Sequence, residues 1–408
     1  MSCDWTSRAR RVAAGEPLTR EEALELLAAG PEELPDLIAA AAWLRRQAFG
    51  MSVKVNYLVN LRSGLCPEDC GYCSQRLGSE ADVLKYSWLT TEQATAQATA
   101  GVLGGARRVC LVASGRGPSR RDVDRVVAMT EAIKGHDQQI EVCACLGFVD
   151  ETQAARLKEA GVDAYNHNLN TSQENYSEIC STHTYEDRVK TVSASRAVGL
   201  SPCSGLIIGM GESDEGLVDT VMDLVRLEVD SIPVNFLMPF EGTPMEGRWE
   251  LTPSRCLQVL ALARFLAPRT EIRIAGGREM HLRSQQPTAL LIANSLFLGD
   301  YLTSQGQAAR ADLEMLRDGG FTRTPGGTVE DWDELIARHD EAEAARSGAP
   351  GADEEATGPS APAGTTGTTP CGSSCPRPED RNPEGAPVNL RIPAVRRRGA
   401  GTAVAPNA

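Results

Sequence analysis

The sequence predicts an α/β fold, namely a (β/α)8 barrel of the TIM type with an N-terminal helical extension and a disordered C-terminal tail. From about residue 51 to residue 321, short runs rich in strand-forming residues alternate with amphipathic helical segments, which is typical of βα units in a parallel sheet. Eight such runs occur, and eight βα units close a barrel. The predicted strands are 53–60, 108–113, 140–146, 164–169, 203–208, 231–237, 272–275 and 295–298.

The first 50 residues predict helices. Thr19 and Glu22 form a capping box, which marks a helix start, and Gly30 is placed to end that helix. A second helix is expected over residues 35–49. No residue of this segment has an evident chemical role, so we expect residues 1–50 to form an extension that covers the main domain.

The main domain is expected to span residues 51–325. Helix starts within it are predicted at Thr90 with Gln93, at Ser213, and at Thr252 followed by Pro253. These starts follow predicted strands, as βα units require. Residues 326–408 are expected to hold one short helix, at 332–346, and then a tail.

The tail has a composition that favours disorder. Residues 347–387 are rich in Gly, Pro, Ser and Thr and cannot bury enough apolar surface to offset the entropy of ordering. Cys371 and Cys375 form a C-x3-C pair that suits a metal or a redox pair, although two idle thiols are the simpler interpretation. The basic patch at 395–401 either docks on the acidic body or is solvated.

Composition excludes several classes of protein. A net charge of −14 disfavours a broad nucleic-acid-binding face. The N-terminus has no apolar signal segment, and no apolar run reaches the length of a membrane span. We therefore expect a cytoplasmic protein, in which the 12 cysteines serve metal or redox chemistry rather than disulfides.

Three cysteines follow the first predicted strand in the pattern C-x3-C-x2-C, at Cys66, Cys70 and Cys73. Thiolates are soft ligands that suit iron–sulfur clusters and zinc. Three thiolates on one loop can hold three irons of a 4Fe–4S cluster and leave the fourth iron open. The alternative is a structural zinc loop, but the fourth ligand that zinc requires is absent nearby, since the next cysteine is Cys110.

A second set of residues lies on separate predicted strands. Cys110, Cys143, Cys203 and Arg273 could converge inside one barrel, because strand residues alternate between inward and outward directions. Each cysteine alone could simply be a buried thiol. A buried arginine needs an anionic partner, which a thiolate-bound cluster would supply. Cys145 shares the parity of Cys143, and its direction stays open.

Amide side chains crowd the end of the fourth predicted strand, within Tyr165–Ser172. Barrel active sites lie at such strand ends, and amides suit ribose hydroxyls or a urea group. His167 could act as a base but is more simply a structural histidine. The three remaining cysteines outside the tail, Cys3, Cys180 and Cys256, are expected to be structural or incidental.

Taken together, these motifs resemble the biotin synthase family of the radical S-adenosylmethionine (SAM) enzymes. The resemblance spans roughly residues 50–320. It rests on the segments 60–70, Tyr165–Leu169, Cys203–Gly205, 234–237 with 242–244, and 273–279.

The resemblance implies a ligand set. Cys66, Cys70 and Cys73 would bind a 4Fe–4S cluster whose open iron chelates SAM. A 2Fe–2S cluster would be bound deeper in the barrel by Cys110, Cys143, Cys203 and Arg273. Tyr72 would lie by the adenine of SAM, Asn168 and Asn170 by its ribose, and Asn168 and Asn235 by the ureido ring of dethiobiotin. Position 170 departs from the carboxylate that is common in the family, and an amide loses the charge-assisted strength of that contact.

The implied reaction inserts sulfur into dethiobiotin and forms biotin, the last step of its biosynthesis. It would use two radical steps driven by SAM and a sulfide of the 2Fe–2S cluster. The implied partners are a low-potential flavodoxin or ferredoxin, the iron–sulfur assembly machinery, and a second copy in a homodimer. Two alternatives remain: a radical SAM barrel with another substrate, such as a hydrogenase-maturation or methylornithine-forming enzyme, or a non-catalytic zinc protein.

Overall fold

A closed barrel of parallel strands forms the centre of the molecule. The computed structural model describes residues 4–347. Strand β1 pairs with both β2 and β9, so the sheet closes on itself as predicted. The strands are β1 Ser52–Arg62, β2 Arg108–Ala113, β3 Glu141–Cys145, β4 Ala164–Asn166, β5 Ser201–Cys203, β6 Leu206–Ile208, β7 Ser231–Phe236, β8 Glu271–Ile274, β9 Ser295–Phe297 and β10 Thr322–Arg323.

The eight predicted strand positions are confirmed, with two differences. Strand β10 is an unpredicted short addition beside β1, outside the closed barrel. The fifth predicted strand is broken into β5 and β6 at Ser204 and Gly205. A Cβ atom on Gly205 would lie 1.9 Å from the carbonyl oxygen of Pro233, so only glycine allows the two backbones to approach this closely.

Helices surround the barrel and connect its strands. They are α1 Trp5–Ala13, α2 Arg20–Leu27, α3 Leu34–Phe49, α4 Thr91–Leu103, α5 Arg120–His136, α6 Glu151–Glu159, α7 Tyr176–Ile179, α8 Tyr185–Ala197, α9 Asp214–Arg226, α10 Pro253–Leu266, α11 Arg278–His281, α12 Gln286–Ile292, α13 Ala309–Asp318 and α14 Asp331–Ser347, with a 3-10 turn at Arg283–Gln285. The predicted starts of α4, α9 and α10 are confirmed by caps from Thr90, Ser213 and Thr252. The predicted final helix is present as α14.

The N-terminal helices share the hydrophobic core of the barrel. Trp5 of α1, Leu26 of α2 and Leu37 of α3 are buried in the same apolar cluster as residues of α9, α10 and α12. The capping box of Thr19 with Glu22 is present at the start of α2. The prediction that Gly30 ends this helix is wrong, because α2 stops at Leu27 and is capped by Ala28.

No helix among the described residues is long and apolar enough to cross a membrane. Several predictions fall outside the described residues: those for Cys3, for the tail 348–387 with Cys371 and Cys375, and for the basic patch 395–401.

Candidate active site

A cavity of about 360 Å³ opens at the carboxyl ends of the barrel strands. The three-cysteine loop lines its upper part, and residues of the strands line its lower part. Most of the candidate site residues line this cavity, namely Cys66, Cys70, Tyr72, Cys73, Cys110, Asn168, Asn170, Asn235 and Arg273. The two exceptions, Cys143 and Cys203, lie deeper and are wholly buried. The fold therefore joins both predicted cysteine sets through one space.

The three-cysteine loop is held by backbone hydrogen bonds. The amide of Cys73 donates to the carbonyl of Cys70 at 3.0 Å, and that of Gly71 donates to the carbonyl of Ile179 at 2.8 Å. Burial raises the pKa of the Cys73 thiol to about 11. Since the thiolate is the form that binds metal, a bound metal must displace the protons of the loop cysteines. Three thiols that share one wall of the cavity suit an iron–sulfur cluster.

A fourth cysteine, Cys180, which was expected to be structural or incidental, touches this loop. Its Sγ lies 3.8 Å from Cys70 Sγ and 3.0 Å from the Asp69 carboxylate. His183 lies 3.3 Å from the same sulfur. The His183 ring is already committed: Nε2 accepts from Arg188 at 2.9 Å, because a guanidinium only donates, and Nδ1 therefore carries the hydrogen that faces Glu68. His183 thus has no free nitrogen for a metal.

The deeper cysteines converge inside the barrel as predicted. Strand register places Cys110 of β2 opposite Cys143 of β3, and the thiol of Cys143 also meets that of Cys203. Asn166 donates a hydrogen bond to Cys203 Sγ at 3.2 Å. These thiols come from three different strands and are all buried, so they form a compact soft-ligand set.

Arg273 completes the deep set from strand β8. Its Nη1 lies 3.7 Å from Cys203 Sγ, its Nε donates to Ser295 Oγ at 3.2 Å, and its Nη2 pairs with Glu271. The side chain is only 1% exposed. Glu271 supplies the anionic partner that a buried guanidinium needs, and the positive charge of Arg273 also favours the thiolate form of the neighbouring Cys203.

The next layer of inward-facing side chains, toward the N-terminal ends of the strands, is charged. Arg108, Glu141 and Glu271 each lie two residues before a member of the deep set and therefore share its inward direction. Lys54 bridges Glu141 and Glu271. This layer closes the bottom of the deep site with ion pairs.

The buried polar atoms that have no hydrogen-bond partner among the described residues include two hydrogen-bond donors in this region. They are Nη1 of Arg108 and Oγ of Ser231, which are 5% and 1% exposed as residues. Unsatisfied buried donors are costly. A sulfide-containing cluster held by the three deep cysteines would offer them acceptors, so the residues present fit such a group.

The amide stretch forms a hydrogen-bonded strip along one wall of the cavity. Asn168 Oδ1 accepts from Asn166 Nδ2 at 3.0 Å and from the amide of Gly205 at 3.1 Å. Asn170, whose φ is +72°, accepts at Oδ1 from the hydroxyl of Tyr72 at 2.6 Å and from Arg188 at 3.2 Å. The oxygen must face Arg188 because a guanidinium has no acceptor. Tyr72 and Asn170 are thus direct partners.

Three further residues complete the lining. Asn235 Oδ1 accepts from the amide of Gly276 at 3.2 Å, so its carboxamide is held in place. His167 packs against Phe148 with ring centroids 4.9 Å apart, and its buried Nε2 has no partner among the described residues. Cys145, whose direction the sequence left open, faces the cavity.

Solved structures with a similar fold are known. The chain is similar to methylornithine synthase, with a TM-score of 0.68 at 18% identity over 80% of this chain and 99% of that one. It is also similar to the FeFe-hydrogenase maturase HydG from Carboxydothermus hydrogenoformans, with a TM-score of 0.66 at 19% identity over 78% of this chain and 79% of that one. At such identities these likenesses describe the fold alone.

Residues 61–224 match the Radical SAM superfamily, and residues 233–322 match the Biotin and Thiamin Synthesis associated domain. The barrel and its three-cysteine loop therefore define a radical SAM enzyme, a class that uses a 4Fe–4S cluster and SAM.

Sequence relatives then identify the family. The biotin synthase of Streptomyces coelicolor is 56% identical over 96% of each chain. That of Renibacterium salmoninarum is 65% identical over 76% of this chain and 90% of its own, and that of Kocuria rhizophila is 59% identical over 90% of this chain and 75% of its own. The chain belongs to the biotin synthase family, whose members are radical SAM sulfurtransferases.

Proposed function

We propose that this chain converts dethiobiotin to biotin by inserting one sulfur atom, with two iron–sulfur clusters and SAM bound in the single cavity described above. The observation that carries the proposal is the pairing of two cysteine sets at two depths of one barrel. A radical SAM enzyme needs only the upper set to cleave SAM. The lower set is what a sulfur donor requires.

The upper set holds the cluster that meets SAM. In this proposal Cys66, Cys70 and Cys73 bind three irons of a 4Fe–4S cluster and leave one iron facing the cavity. The donor set supports this assignment, because the neighbouring ring of His183 is held by Glu68 and Arg188 and the Cys180 thiol is engaged by the Asp69 carboxylate. When bound, this cluster supplies the electron that cleaves SAM, and the deeper 2Fe–2S cluster supplies the sulfur.

The lower set holds the sulfur donor. Cys110, Cys143 and Cys203 would bind the 2Fe–2S cluster, with Arg273 beside it. The unpartnered donors of Arg108 and Ser231 support a group with sulfide acceptors at this place.

The amide strip positions the two organic molecules. Tyr72 and Asn170 would lie at the nucleoside of SAM, and Asn168 and Asn235 at the ureido ring of dethiobiotin. The carboxamide oxygens of Asn168 and Asn235 accept from backbone amides, which fixes the side chains. Nδ2 of Asn235 also donates to the Leu206 carbonyl at 3.4 Å, so this group would offer its second hydrogen to a ligand carbonyl. Such fixed donors orient the substrate carbons between the two clusters.

The burial of the deep set supports a further role of the protein, the exclusion of water. Cys143 and Cys203 are 0% exposed, and apolar side chains of Leu58, Val112 and Phe297 line the cavity beside them. Such a place would keep the clusters and the reacting substrate carbons away from water.

The remaining assignments are also part of the proposal. We propose an N-terminal extension of residues 1–50, a catalytic domain of residues 51–325 and a C-terminal region of residues 326–408. We further propose a homodimer in the cytoplasm that receives electrons from a flavodoxin or ferredoxin and has its 2Fe–2S cluster rebuilt by the iron–sulfur assembly machinery.

An anaerobic assay with dethiobiotin, SAM and a reductant tests the function, with biotin and 5′-deoxyadenosine as the measured products. Cys66→Ala is expected to abolish both products. Cys143→Ala is expected to abolish biotin formation. Biotin formation by Cys143→Ala at the normal rate would contradict the sulfur-donor assignment.

Iron content separates the proposal from the zinc alternative. The proposal requires about six irons per chain after anaerobic purification, from one 4Fe–4S and one 2Fe–2S cluster. A colourless protein with one zinc ion would contradict it.

A further inference from the structure

Cys180 is a buried thiol that the proposed function does not use, and it lies against a thiol that this function needs. Its sulfur is 3.8 Å from the sulfur of Cys70, the second cysteine of the three-cysteine loop. The two residues are 110 positions apart in the chain, and both are free thiols. Two thiols in contact can do what a single buried thiol cannot, which is to form a bond with each other.

The backbone on both sides of this pair is held in order. Residues 68–71 and 179–182 run antiparallel, and three contacts join them in sequence: Glu68 with Thr182, Asp69 with Ser181, and Gly71 with Ile179. Cys70 and Cys180 occupy the position between the second and the third contact. Residues opposite each other in an antiparallel arrangement have the Cα separation that a disulfide requires, about 4.4–6.8 Å. A bridge between the two cysteines therefore needs side-chain rotation rather than a new path of the backbone.

The gap between the two sulfurs is small. An S–S bond is about 2.05 Å long, so the sulfurs must approach by about 1.8 Å from their separation of 3.8 Å. Rotation about the Cα–Cβ bonds supplies a movement of this size. Asp69 at 3.0 Å and His183 at 3.3 Å hold the Cys180 sulfur next to the loop.

The two thiols differ in their access to small molecules. Cys70 lines the cavity, whereas Cys180 is not part of the cavity lining. A small oxidant that enters the cavity therefore meets Cys70 first. A cysteine that is oxidised to a sulfenic acid either condenses with a neighbouring thiol, which is reversible, or is oxidised further to sulfinic and sulfonic acids.

We propose that Cys180 is the resolving thiol of Cys70, and that the two form a reversible disulfide when hydrogen peroxide has removed the cluster from the loop. The Cys70 thiol reacts with one peroxide and gives a sulfenic acid and one water. The Cys180 sulfur then attacks the Cys70 sulfur, so that the S–S bond forms, the S–O bond breaks and a second water leaves with the Cys180 proton. In total the two thiols lose two electrons and two protons, and the peroxide is reduced to two waters.

The bridge preserves a ligand of the cluster. Cys70 in a disulfide is returned to the thiol by a thiol reductant, whereas a sulfonic acid is permanent. The same chain can then be loaded with a new cluster. This benefit rests on the proposed function, in which Cys70 binds the 4Fe–4S cluster.

The test follows the fate of Cys70 after peroxide has removed the cluster. Full-length enzyme with its clusters bound is treated with hydrogen peroxide until its iron is released, and free thiols are blocked with N-ethylmaleimide. Tandem mass spectrometry then locates the bridge, because Cys66, Cys70 and Cys73 share one tryptic peptide. The wild type is expected to yield a peptide pair joined through Cys70 and Cys180. After reduction, most of Cys70 is expected to be a free thiol.

Cys180→Ser removes the resolving thiol and keeps a hydrogen-bond donor beside Asp69. The fraction of Cys70 found as sulfinic or sulfonic acid is expected to rise about 5-fold or more in this variant, because no thiol condenses with the sulfenic acid. Cys256→Ser is the matched control, since Cys256 is a buried thiol on helix α10 outside the cavity lining. It is expected to behave as the wild type. If Cys180→Ser lowers the iron content before peroxide is added, the bridge in the wild type decides alone.

Three results would overturn the proposal. One is a wild-type map in which Cys70 is joined to Cys66 or Cys73, or to no thiol. Another is equal oxidation of Cys70 to the irreversible acids in the wild type and in Cys180→Ser. The third is the same loss of protection in Cys256→Ser. Failure of the proposed function is distinct, because it shows as a chain that binds no 4Fe–4S cluster before peroxide is added or that makes no biotin in the anaerobic assay.

Discussion

Arg273 Nη1 lies 3.7 Å from Cys203 Sγ, while the rest of the same guanidinium is anchored elsewhere. Nε donates to Ser295 at 3.2 Å, and Nη2 pairs with Glu271. A guanidinium held in this way stays charged and has no lone pair to offer a metal. The geometry is that of a counter-charge beside the deep cysteines rather than of a bonded ligand.

Arg273→Met is therefore expected to retain the 2Fe–2S cluster. Methionine fills a similar volume, and the three cysteines remain in place. The measurement is the visible absorption of the anaerobically purified variant, with Cys203→Ala as the control that is expected to lose those bands. Absence of the 2Fe–2S bands from Arg273→Met would show that the arginine is a required ligand.

Cys180 is expected to be dispensable for holding the 4Fe–4S cluster, although its sulfur lies 3.8 Å from that of Cys70. Its thiol is engaged by Asp69 at 3.0 Å, and three loop cysteines already meet the demand of the cluster. Cys180→Ala should keep the wild-type iron content, whereas Cys70→Ala should lose about four irons per chain. A loss of iron in Cys180→Ala that matches Cys70→Ala would make Cys180 a ligand.

The sequence allowed much of this architecture to be predicted, because buried parallel strands leave a strong local signal. Short runs of strand-forming residues between helical segments marked all eight barrel positions, and the cysteine spacing marked the loop. Strand parity allowed Cys110, Cys143 and Arg273 to point inward together but did not decide their direction. The structure brought each of them to the barrel interior.

What escaped prediction depends on contacts between distant parts of the chain. Cys180 meets Cys70 only because the segment after α7 folds back over the loop, 110 residues further along the chain. The break at Gly205 arises from the backbone of Pro233 on a neighbouring strand. The sequence offered one signal of the contact between Cys180 and Cys70: Cys180 and His183, two potential metal ligands, lie close together just after the amide stretch.

Gly205→Ala is expected to destabilise the protein and to weaken substrate binding together. The added Cβ would lie 1.9 Å from the Pro233 carbonyl oxygen, so β7 or the β5–β6 break must move. We expect a cost of about 1–3 kcal/mol, as for other overpacked sites. The same movement displaces Asn168, whose Oδ1 accepts from the Gly205 amide at 3.1 Å.

The measurements for Gly205→Ala are the urea midpoint and the dissociation constant for dethiobiotin. Gly135→Ala is the control, because this helical glycine has no atom within 4 Å of the added Cβ. That control is expected to be neutral or stabilising by up to about 1 kcal/mol. An unchanged midpoint in Gly205→Ala would mean that the close approach to Pro233 is not required.

Asn170→Asp is expected to tighten the binding of SAM. Asn170 Oδ1 accepts from Tyr72 at 2.6 Å and from Arg188 at 3.2 Å, so a carboxylate at this position gains a charge-assisted bond to Arg188 and keeps an oxygen for a ribose hydroxyl. Aspartate also tolerates the φ of +72° found here. The gain of about 1 kcal/mol corresponds to a dissociation constant roughly 5-fold lower, measured by equilibrium dialysis of the loaded enzyme under anaerobic conditions. Asn175→Asp, a change of the same charge outside this strip, should leave the constant unaltered. A SAM affinity in Asn170→Asp that is equal to or weaker than that of the wild type would remove Asn170 from the ribose site.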